Sequence, residues 1–371
     1  MNIAFYIPVL NVGGAEKVVI NLLNSISLRQ LDKLSLITDK DNSSWLKELS
    51  PDIDIVHLSA NKNSLQRLNS LRRIVKENKF DIVVSHLTHS NIHCLLLRLV
   101  LNFRLLIVEH SITSEYLRSL GAITNMIKST LVKSLFGLAD KIVCVSQSTQ
   151  IDLIKNFNIN ASKCEIIFNP MNFDEISALS KIPIPQDVKE FIGARDILVS
   201  VGRVEKVKNH ASLVYNLKNL LSDRNYVLLI VGDGTERVSV QKVINELNLT
   251  NNVLMIGFDS NPYRYIASSK CLLHASSFEG FGLVLLEAIY LQTAVVTKNF
   301  TAAFEVLDNG RLGVIIDDLT GFDKAVTTIF ENFSAVDQVN NSKVVQNHYN
   351  AQIIADQYLN LCYDVSNNRQ Q

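Results

Sequence analysis

The stretch Cys271–Ala288, CLLHASSFEGFGLVLLEA, contains a complete strand–loop–helix unit and decides how the rest of the chain is interpreted. Its first residues form a short apolar run typical of a buried strand, and we expect a helix to begin near Phe281. Glu279 lies in the intervening loop beside two glycines that leave space next to the first amides of the helix. Glu287 follows nearly two turns into that helix. The stretch therefore predicts an anion site with one acidic residue beside it and a second one able to accept hydroxyl hydrogen bonds.

The same alternation of apolar runs and amphipathic stretches extends along the whole chain. Strands are predicted at residues 2–8, 33–38, 53–58, 81–87, 104–109, 141–146 and 164–168, and again at 197–202, 226–232, 253–257, 271–275, 294–297 and 313–316. Strands that alternate with helices predict parallel sheets covered on both faces. We therefore expect an α/β fold with two doubly wound parallel-sheet domains facing a central cleft, since ligands bind beyond the carboxyl ends of such strands.

The domain bounds follow from a break in this rhythm. Residues 171–195 contain Pro183 and Pro185 and no strong strand. We predict an N-terminal domain at 1–175, a linker at 176–195, a second domain at 196–349 and a C-terminal helix within 350–371.

Composition and charge exclude several classes of protein. The 371 residues are 47% hydrophobic and 19% charged, which supplies ample material for two cores. Lys+Arg and Asp+Glu both number 36, which argues against a protein that coats nucleic acid. Residues 1–170 hold 19 basic and 14 acidic side chains, so the first half is mildly basic. That surplus fits either an anionic partner, such as lipid, or a drift in sequence composition that has no function.

The cysteines and apolar segments indicate a cytoplasmic protein. The five cysteines are scattered without a CxxC pair, which is typical of reduced buried thiols. The N-terminal residues have no basic region followed by a long apolar one, so we expect no secretory signal. No apolar stretch reaches the ~18 residues of a membrane span. The stretch Leu95–Arg104 is compatible with peripheral docking, although an ordinary helix packed on its sheet is the better explanation of its leucines.

Three further motifs could carry chemistry. Asn11–Lys17 places Gly13 and Gly14 between a strand and a helix, which suits a phosphate or a sugar but also a plain turn. Val201–Asn209 places Arg203 and Lys208 at a strand end, where two cations could bind a diphosphate and neutralise it as it leaves. The alternative there is a basic surface turn.

The third motif is Glu109–Ser111, just past a strand. His110 could bond a sugar hydroxyl from that position, or it could be a capping or core histidine.

Other patterns suggest metal ligands only superficially. His86, His89 and His93 have helical spacing but no accompanying carboxylate. Asp52–Asp54 and Asp39–Asp41 resemble DxD metal–diphosphate motifs but fall where exposed edges or loops are expected. We therefore predict no metal site.

Together these motifs resemble the retaining GT-B glycosyltransferases of family 4. GGAEK, EHS, the Asn169-Pro170 pair, GRVEKVKN, IVGDG, GFDSNPY and the Glu-x7-Glu pattern from Glu279 to Glu287 occur in the order and approximate spacing of that family. The resemblance covers most of the chain. Two departures stand out: the loop Lys298–Glu305 keeps its acidic end but not the usual small residues, and Asn172 replaces an aspartate that often follows the Asn-Pro pair.

The resemblance implies a nucleotide-diphosphate sugar donor, held mainly by the second domain without a required metal or other cofactor. Catalytic roles would fall on His110, Arg203, Lys208 and Glu279, with His110 and Glu279 contacting the sugar and the two cations the diphosphate. Glu287 would hold the ribose. The remaining donor-binding positions would be Gly13, Gly14, Gly257, Phe258, Gly280, Phe281, Gly282 and Leu283, with Gly257 and Phe258 near the base. The last helix is expected to return to the first domain.

The function implied is transfer of a hexose or N-acetylhexosamine, from a UDP-sugar by family habit, to a saccharide acceptor. The acceptor would be lipid-linked, in the synthesis of a cell-surface polysaccharide such as lipopolysaccharide or of a glycolipid. The enzyme would be cytoplasmic with peripheral contact to the inner membrane face, and no nucleic acid partner is expected. Two alternatives stay open: a sugar-nucleotide epimerase of similar fold, and a catalytically silent subunit that binds sugar nucleotides or glycans.

Overall fold

The computed structural model describes residues 1–10, 13–29, 31–39, 44–58, 63–222, 225–332 and 335–367. The chain divides into two compact units. Unit 1 comprises Met1–Met171 and Tyr349–Gln371, and unit 2 comprises Asn172–His348. Asn11 and Val12 of the first glycine motif, and residues 40–41 of the Asp39–Asp41 motif, lie outside the described residues.

Unit 1 is built on a parallel sheet. Its described strands are β1 (Asn2–Tyr6), β2 (Lys33–Asp39), β3 (Asp54–Leu58), β4 (Ile82–His86), β5 (Arg104–Glu109), β6 (Lys141–Cys144) and β7 (Cys164–Ile166), in the order β3-β2-β1-β4-β5-β6-β7. Its helices are α1 (Gly14–Ser27), α2 (Ser64–Asn78), α3 (Thr88–Arg98), α4 (Thr113–Arg118), α5 (Ala122–Leu135) and α6 (Gln147–Phe157), followed at the end of the chain by α17 (Ala351–Asn367).

Unit 2 repeats this plan. Its described strands are β8 (Asp196–Val201), β9 (Tyr226–Val231), β10 (Val253–Gly257), β11 (Cys271–His274), β12 (Ala294–Lys298) and β13 (Val314–Ile316), in the order β10-β9-β8-β11-β12-β13. Its helices are α7 (Phe173–Ser180), α8 (Gln186–Ile192), α9 (His210–Asn216), α10 (Lys218–Ser222), α11 (Arg237–Glu246), α12 (Tyr263–Ala267), α13 (Leu283–Tyr290), α14 (Ala303–Val306), α15 (Phe322–Asn332) and α16 (Ala335–Tyr349), which ends at the unit boundary. Short 3-10 turns lie at Ser44–Glu48, Phe136–Leu138, Ala161–Lys163, Lys206–Lys208 and Leu319–Gly321.

Each predicted strand is present, and in the central strands the apolar side chains on both faces are buried between helices. In β4 all five residues are buried, and in β9 five of six are. Such continuous burial is what a parallel sheet sandwiched by helices requires. The α/β prediction of two doubly wound sheets is therefore confirmed.

The segment predicted as a linker, 176–195, belongs to unit 2 and contains most of α7 and all of α8. It is not a free connection, because Phe173 packs its ring 4.4 Å from that of Tyr290, and Ser177 shares a 2.6 Å hydrogen bond with the hydroxyl of Tyr290. The prolines end one helix and begin the next instead of marking a flexible segment.

Helix α17 packs against unit 1. Arg29 at the end of α1 donates from its Nε to Asp356, 2.8 Å away, and Tyr358 is fully buried. The chain enters α17 beside the point where it left unit 1, since the amides of Met171 and Ala351 bond to the carbonyls of Tyr349 and Met171. Unit 2 is thus inserted in sequence between the main body of unit 1 and its final helix.

Candidate donor-sugar site

The central feature of unit 2 is the pair of neighbouring strands β8 and β11, where the strand order reverses. The crevice beyond the carboxyl ends at such a reversal is the usual ligand position in doubly wound sheets. Lys208 follows β8 and Glu279 follows β11. Lys208 Nζ forms an ion pair with Glu279 Oε1, so two residues that are 71 positions apart in sequence meet at this point.

The Lys208–Glu279 pair is largely removed from solvent, with each side chain 19% exposed. Burial alone would raise the pKa of Glu279, but the Lys208 charge and a hydrogen bond with His274 hold that pKa well below its usual range. His274 Nε2 lies 3.1 Å from the same Oε1 atom. Glu279 is therefore a carboxylate at any physiological pH, with a cation beside it.

Hydrogen bonds fasten the Lys208 loop to the Glu279 loop. Asn209 Nδ2 donates to the carbonyl of Ala275 at 2.9 Å and to Ser277 Oγ at 2.7 Å. The Ser277 amide donates to the carbonyl of Val207 at 2.9 Å. Because both loops are tied together by backbone and amide groups, the ion pair is held at a defined position.

Arg203 lies at the start of the same β8 loop and is exposed. The loop around it is anchored to the loop after β9, since Val204 exchanges backbone hydrogen bonds of 2.9 Å with Asp233 and Glu236. Gly232 permits this approach: it has a φ of +140°, and a Cβ there would lie 2.0 Å from the Gly202 carbonyl oxygen. Asp233 therefore shapes a turn, and its carboxylate accepts from the Gly234 amide at 2.8 Å.

Helix α13, which follows the glycine-rich loop, begins two residues later than predicted. We expected the helix to begin near Phe281, and it begins at Leu283. Gly282 has a φ of +89°, a left-handed conformation that cannot belong to the helix, and Phe281 is buried at 3% exposure. Gly280 precedes it at intermediate exposure.

Glu287 lies in α13 and is half-buried. The hydroxyl of Tyr263 donates to its Oε1 at 3.5 Å. At the end of β10, Gly257 has a φ of +86° and its carbonyl accepts from the Gly232 amide at 2.8 Å. Phe258 beside it is 55% exposed.

Unit 1 has its own strand-order reversal, between β1 and β4. Gly13 is the N-cap of α1 and Gly14 its first residue, and both follow β1. His110 follows β5 and His86 ends β4, with His110 Nε2 only 2.9 Å from His86 Nδ1. Burial lowers the pKa of His110 to about 4 and, together with the neighbouring His110, holds the pKa of His86 well below its usual value, so both rings are neutral near pH 7.

Glu109, directly before His110, is fully buried and has three hydrogen-bonding partners. Thr88 and Thr113 donate their hydroxyls to Oε2 at 2.7 and 3.1 Å, and Asn91 donates to Oε1 at 2.7 Å. Burial raises the pKa of Glu109 to about 7, although these hydrogen bonds act in the opposite direction. The loop that carries His110 therefore begins at a polar anchor inside unit 1.

The residues of the possible metal-binding motifs do not form a common site. His86 pairs with His110, whereas His89 and His93 contact each other with ring centroids 4.3 Å apart. Asp52 and Asp54 are exposed, as expected. Within the part of the chain that the structure describes, no three His, Cys, Asp or Glu residues are grouped as metal ligands.

The stretch Leu95–Arg104 forms the end of α3 and the turn after it. Leu95 and Leu97 are buried because α3 packs against β4 and β5, and Arg98 and Arg104 both bond to Asp140. Leu99, Val100 and Asn102 are the exposed residues of the stretch. Among the described residues, no helix combines the length and apolar character needed to cross a membrane.

Sequence reasoning missed His274, Thr297 and His86. His274 was counted as part of a strand, yet a histidine in the apolar run CLLHA is itself a signal, because a buried ring needs partners for both nitrogens. Its partner Thr297 becomes visible only from the pairing of β11 with β12, which places the two residues opposite each other.

These two doubly wound units, with an ion pair at the strand-order reversal of the second, define an α/β protein of the GT-B type. Crystal structures of similar fold include Anabaena Alr3699/HepE in complex with UDP and glucose (TM-score 0.81, 18% identity, covering 97% of this chain and 99% of that one). Another is sucrose-phosphate synthase from Thermosynechococcus elongatus (TM-score 0.83, 18% identity, covering 98% and 99%).

Sequence comparison identifies the family. The family described as "Glycosyltransferase Family 4" matches residues 12–175, and "Glycosyl transferases group 1" matches residues 185–341. The chain is 30% identical over 327 residues, 85% of its length and 86% of the relative, to the Campylobacter jejuni N-acetylgalactosamine-N,N'-diacetylbacillosaminyl-diphospho-undecaprenol 4-alpha-N-acetylgalactosaminyltransferase. The Rhizobium meliloti lipopolysaccharide core biosynthesis glycosyltransferase LpsD is 22% identical, over 94% of each chain. The chain belongs to the family 4 glycosyltransferases, and the predicted enzyme class is confirmed.

Proposed function

We propose that this glycosyltransferase moves an N-acetylhexosamine or hexose, with retention at the anomeric carbon, from a UDP-sugar to a lipid-linked saccharide in surface-glycan synthesis. The observation that carries the proposal is the Lys208–Glu279 pair at the strand-order reversal of unit 2. The Campylobacter relative, by name, transfers N-acetylgalactosamine to a saccharide on diphospho-undecaprenol, and the Anabaena structure holds UDP. These names support the choice of sugar, base and acceptor class.

The cations of unit 2 have the chemistry that a leaving diphosphate needs. Negative charge develops on the diphosphate as the glycosidic bond breaks, and positive groups fixed beforehand stabilise it without reorganising. We assign this role to Arg203, Lys208 and the backbone amides at the start of α13, from Gly280 to Leu283. Because these groups carry the neutralising charge, we propose that no metal or other cofactor is needed.

The acidic residues and the base site complete the donor subsites. Glu279 would orient the sugar through its carboxylate, and Glu287 would accept hydrogen bonds from two ribose hydroxyls. The exposed ring of Phe258, next to Gly257, offers a surface on which a base can stack. From unit 1, we assign Gly13 and Gly14 to the donor and His110 to the transferred sugar.

Contact with the membrane is proposed through α5 instead of the Leu95–Arg104 stretch. Ile123, Met126 and Ile127 share one helical face and are 74%, 66% and 52% exposed. Exposed Arg118 and Lys133 lie nearby in sequence. An apolar stripe beside basic side chains is suited to the interface of an anionic membrane.

Thermal shift with UDP, GDP, ADP and CMP, and with their sugar conjugates, tests the donor. We expect UDP and one UDP-sugar to raise Tm equally with and without EDTA. Product analysis with that donor and a diphospholipid-linked saccharide should then give a new glycoside. A free epimer, or the absence of a shift with every nucleotide, would contradict the proposal.

Variants test the residue assignments. We expect Arg203→Ala to lower kcat about 100-fold, because it removes a group that meets developing charge. Glu287→Ala should mainly raise the donor KM. Exposed Lys206, in the same loop, supplies the control Lys206→Ala, which should leave both constants within about twofold. Turnover close to wild type in both site variants would refute the assignment.

Vesicle sedimentation tests the α5 surface. We expect binding to vesicles containing phosphatidylglycerol, less binding at 1 M salt, and loss of binding in the triple variant Ile123→Ser/Met126→Ser/Ile127→Ser. Val238→Ser is the matched control, because Val238 is an 80% exposed apolar residue of unit 2. Equal sedimentation of both variants would place the membrane contact elsewhere.

A further inference from the structure

The ring of His274 lies between two side chains and contacts both through its nitrogens. His274 Nδ1 is 2.9 Å from Thr297 Oγ1, and Nε2 is 3.1 Å from Glu279 Oε1. His274 and Thr297 are buried, and strand pairing places them opposite each other on β11 and β12. The edge of the ring packs against Phe300, with centroids 5.3 Å apart. The ring therefore has contacts that fix both its position and its rotation.

The partners of His274, together with its burial, select one arrangement of protons. An ionised carboxylate only accepts hydrogen bonds, so the Nε2 atom facing Glu279 must carry a proton. Burial and the Lys208 charge lower the pKa of His274 despite the opposing effect of Glu279, which keeps the ring neutral. A neutral ring with a proton on Nε2 has a lone pair on Nδ1, to which the Thr297 hydroxyl can donate. That hydroxyl also lies 3.0 Å from the Lys298 carbonyl and 3.3 Å from the His274 carbonyl, and Nδ1, at 2.9 Å, is the nearest of the three acceptors.

Among the described residues, the charges that act on the ring are those of Lys208 and Glu279, and they act in opposite directions. His210 is the other titratable group that acts on the site from α9, and its pKa is lowered to about 4 by burial and by its neighbours Lys208 and His274. Lys208 is engaged with Glu279. Near pH 7 the site therefore contains one cation, one carboxylate and two neutral imidazoles.

These contacts occupy one side of the Glu279 carboxylate. Among the described residues, both hydrogen bonds to the group fall on Oε1, one from Lys208 and one from His274. Two donors on one oxygen fix the plane of the carboxylate and leave Oε2 for another donor. A hydroxyl of the donor sugar is such a group.

The geometry points to His274 as a positioning residue, held by Thr297 in the form protonated on Nε2, which fixes Glu279 so that Oε2 can accept a hydrogen bond from a hydroxyl of the donor sugar. This inference rests on the proposed function for the identity of the sugar donor. The proton arrangement itself depends only on the residues of unit 2.

Kinetics test the positioning role. We expect His274→Leu to lower kcat about 10- to 100-fold, because a hydrogen bond to a charged group is lost. The Kd for UDP, which carries no sugar, should change less than about threefold. His274→Gln should recover most of the activity, because its side-chain amide can donate to Glu279 in place of Nε2.

Thr297 provides a second, independent pair of variants. Thr297→Ser keeps the hydroxyl and should stay within about twofold of wild type, whereas Thr297→Val should lower kcat about 5- to 10-fold. Thr293→Val is the control, because Thr293 is a buried threonine of the same region whose hydroxyl donates to the Ile266 carbonyl at 2.8 Å instead. Equal loss in the two valine variants would show a packing effect and overturn the role of Thr297. Full activity of His274→Leu would overturn the role of His274.

A spectroscopic measurement needs no substrate. In protein labelled with 15N-histidine, long-range proton–nitrogen correlation distinguishes the two neutral forms from imidazolium, and the His274→Gln spectrum identifies His274 among the eight histidines. We expect the neutral form protonated on Nε2 from pH 6 to 8. A proton on Nδ1, or an imidazolium at pH 7, would overturn the inference. The expected spectrum without any sugar transfer would instead refute the proposed function.

Discussion

The two units have the same sheet order around their strand reversals, yet the side chains near the two reversals differ in charge. Unit 2 holds an ion pair, Lys208 with Glu279. Unit 1 holds two neutral imidazoles, His86 and His110, whose pKa values burial lowers. The shared topology thus supplies a crevice, and the side chains at the strand ends decide whether that crevice suits an anion or an uncharged group.

The difference has a physical origin in the cost of burying charge. Unit 2 keeps a charged lysine out of water because a carboxylate accompanies it. Among the described residues of unit 1, the hydrogen-bonding partner of His110 is the neutral His86 and not a cation, and burial raises the pKa of the nearby Glu109 carboxyl to about 7. Under the proposed function, a diphosphate would gain the positive charge of Lys208 while Glu279 keeps its hydrogen bonds, whereas a sugar hydroxyl would need only the dipoles that His110 offers. The contrast agrees with a donor whose charged part lies on unit 2.

The largest effect is expected from removing the charge of Lys208, the partly buried cation of the unit 2 ion pair. Lys208→Met should lower kcat/KM about 100- to 1,000-fold, because a positive group that meets developing charge is lost. It should also destabilise the protein, since Glu279 remains buried without its partner. The double variant Lys208→Met/Glu279→Gln should regain stability but not activity, and steady-state kinetics with urea unfolding would check both. Activity in the double variant would show that the pair is structural.

The next prediction concerns unit 1 and the effect of Glu109 on stability as pH changes. Burial raises the pKa of Glu109 from 4.5 to about 7, so the folded protein keeps a proton that the unfolded chain releases in that window. This contribution to the free energy of unfolding is present below about pH 4.5 and is lost as pH rises to 7, by about 3 kcal/mol in total.

Glu109→Gln removes that loss while keeping the side-chain shape and its hydrogen-bonding partners. Urea unfolding at pH 5 and pH 8 should show the variant gaining stability over wild type as pH rises, by up to ~3 kcal/mol. The histidines titrate in the opposite direction, but their contribution cancels in the difference between the two proteins. A constant difference between the two pH values would show that Glu109 is ionised in the folded protein.

The smallest effect concerns the histidine pair. His86→Phe keeps a ring of similar size beside Phe5 but removes the nitrogen that bonds to His110. We expect about a 10-fold loss in kcat/KM, because His110 loses the contact that sets its orientation. His93→Phe, at another buried histidine of unit 1, should remain within about twofold. Equal losses in the two variants would mean that the contact between His86 and His110 contributes only to packing.

The sequence was sufficient for the strands and for choosing Lys208 and Glu279 as candidates, because local apolar periodicity and one motif per loop carry that information. It did not show that these two side chains pair with each other. It was not sufficient for Thr297 or His86. Their roles depend on which strands lie side by side: His274 meets Thr297 across β11 and β12, and His86 meets His110 across β4 and β5. Apolar character alone also does not tell which side of α3 or α5 faces the sheet, so the exposed apolar residues of α5 became visible only in the structure.

The return of α17 to unit 1 has a consequence for the order of folding during synthesis. Unit 2 is a continuous stretch, so it has all of its strands and helices once residue 348 has left the ribosome. Most of unit 1 is translated first, but its surface around α1 stays uncovered until α17 has been made. We therefore expect the earlier-made unit to become protease-resistant last, and ribosome-stalled chains ending before and after α17 would reveal that order.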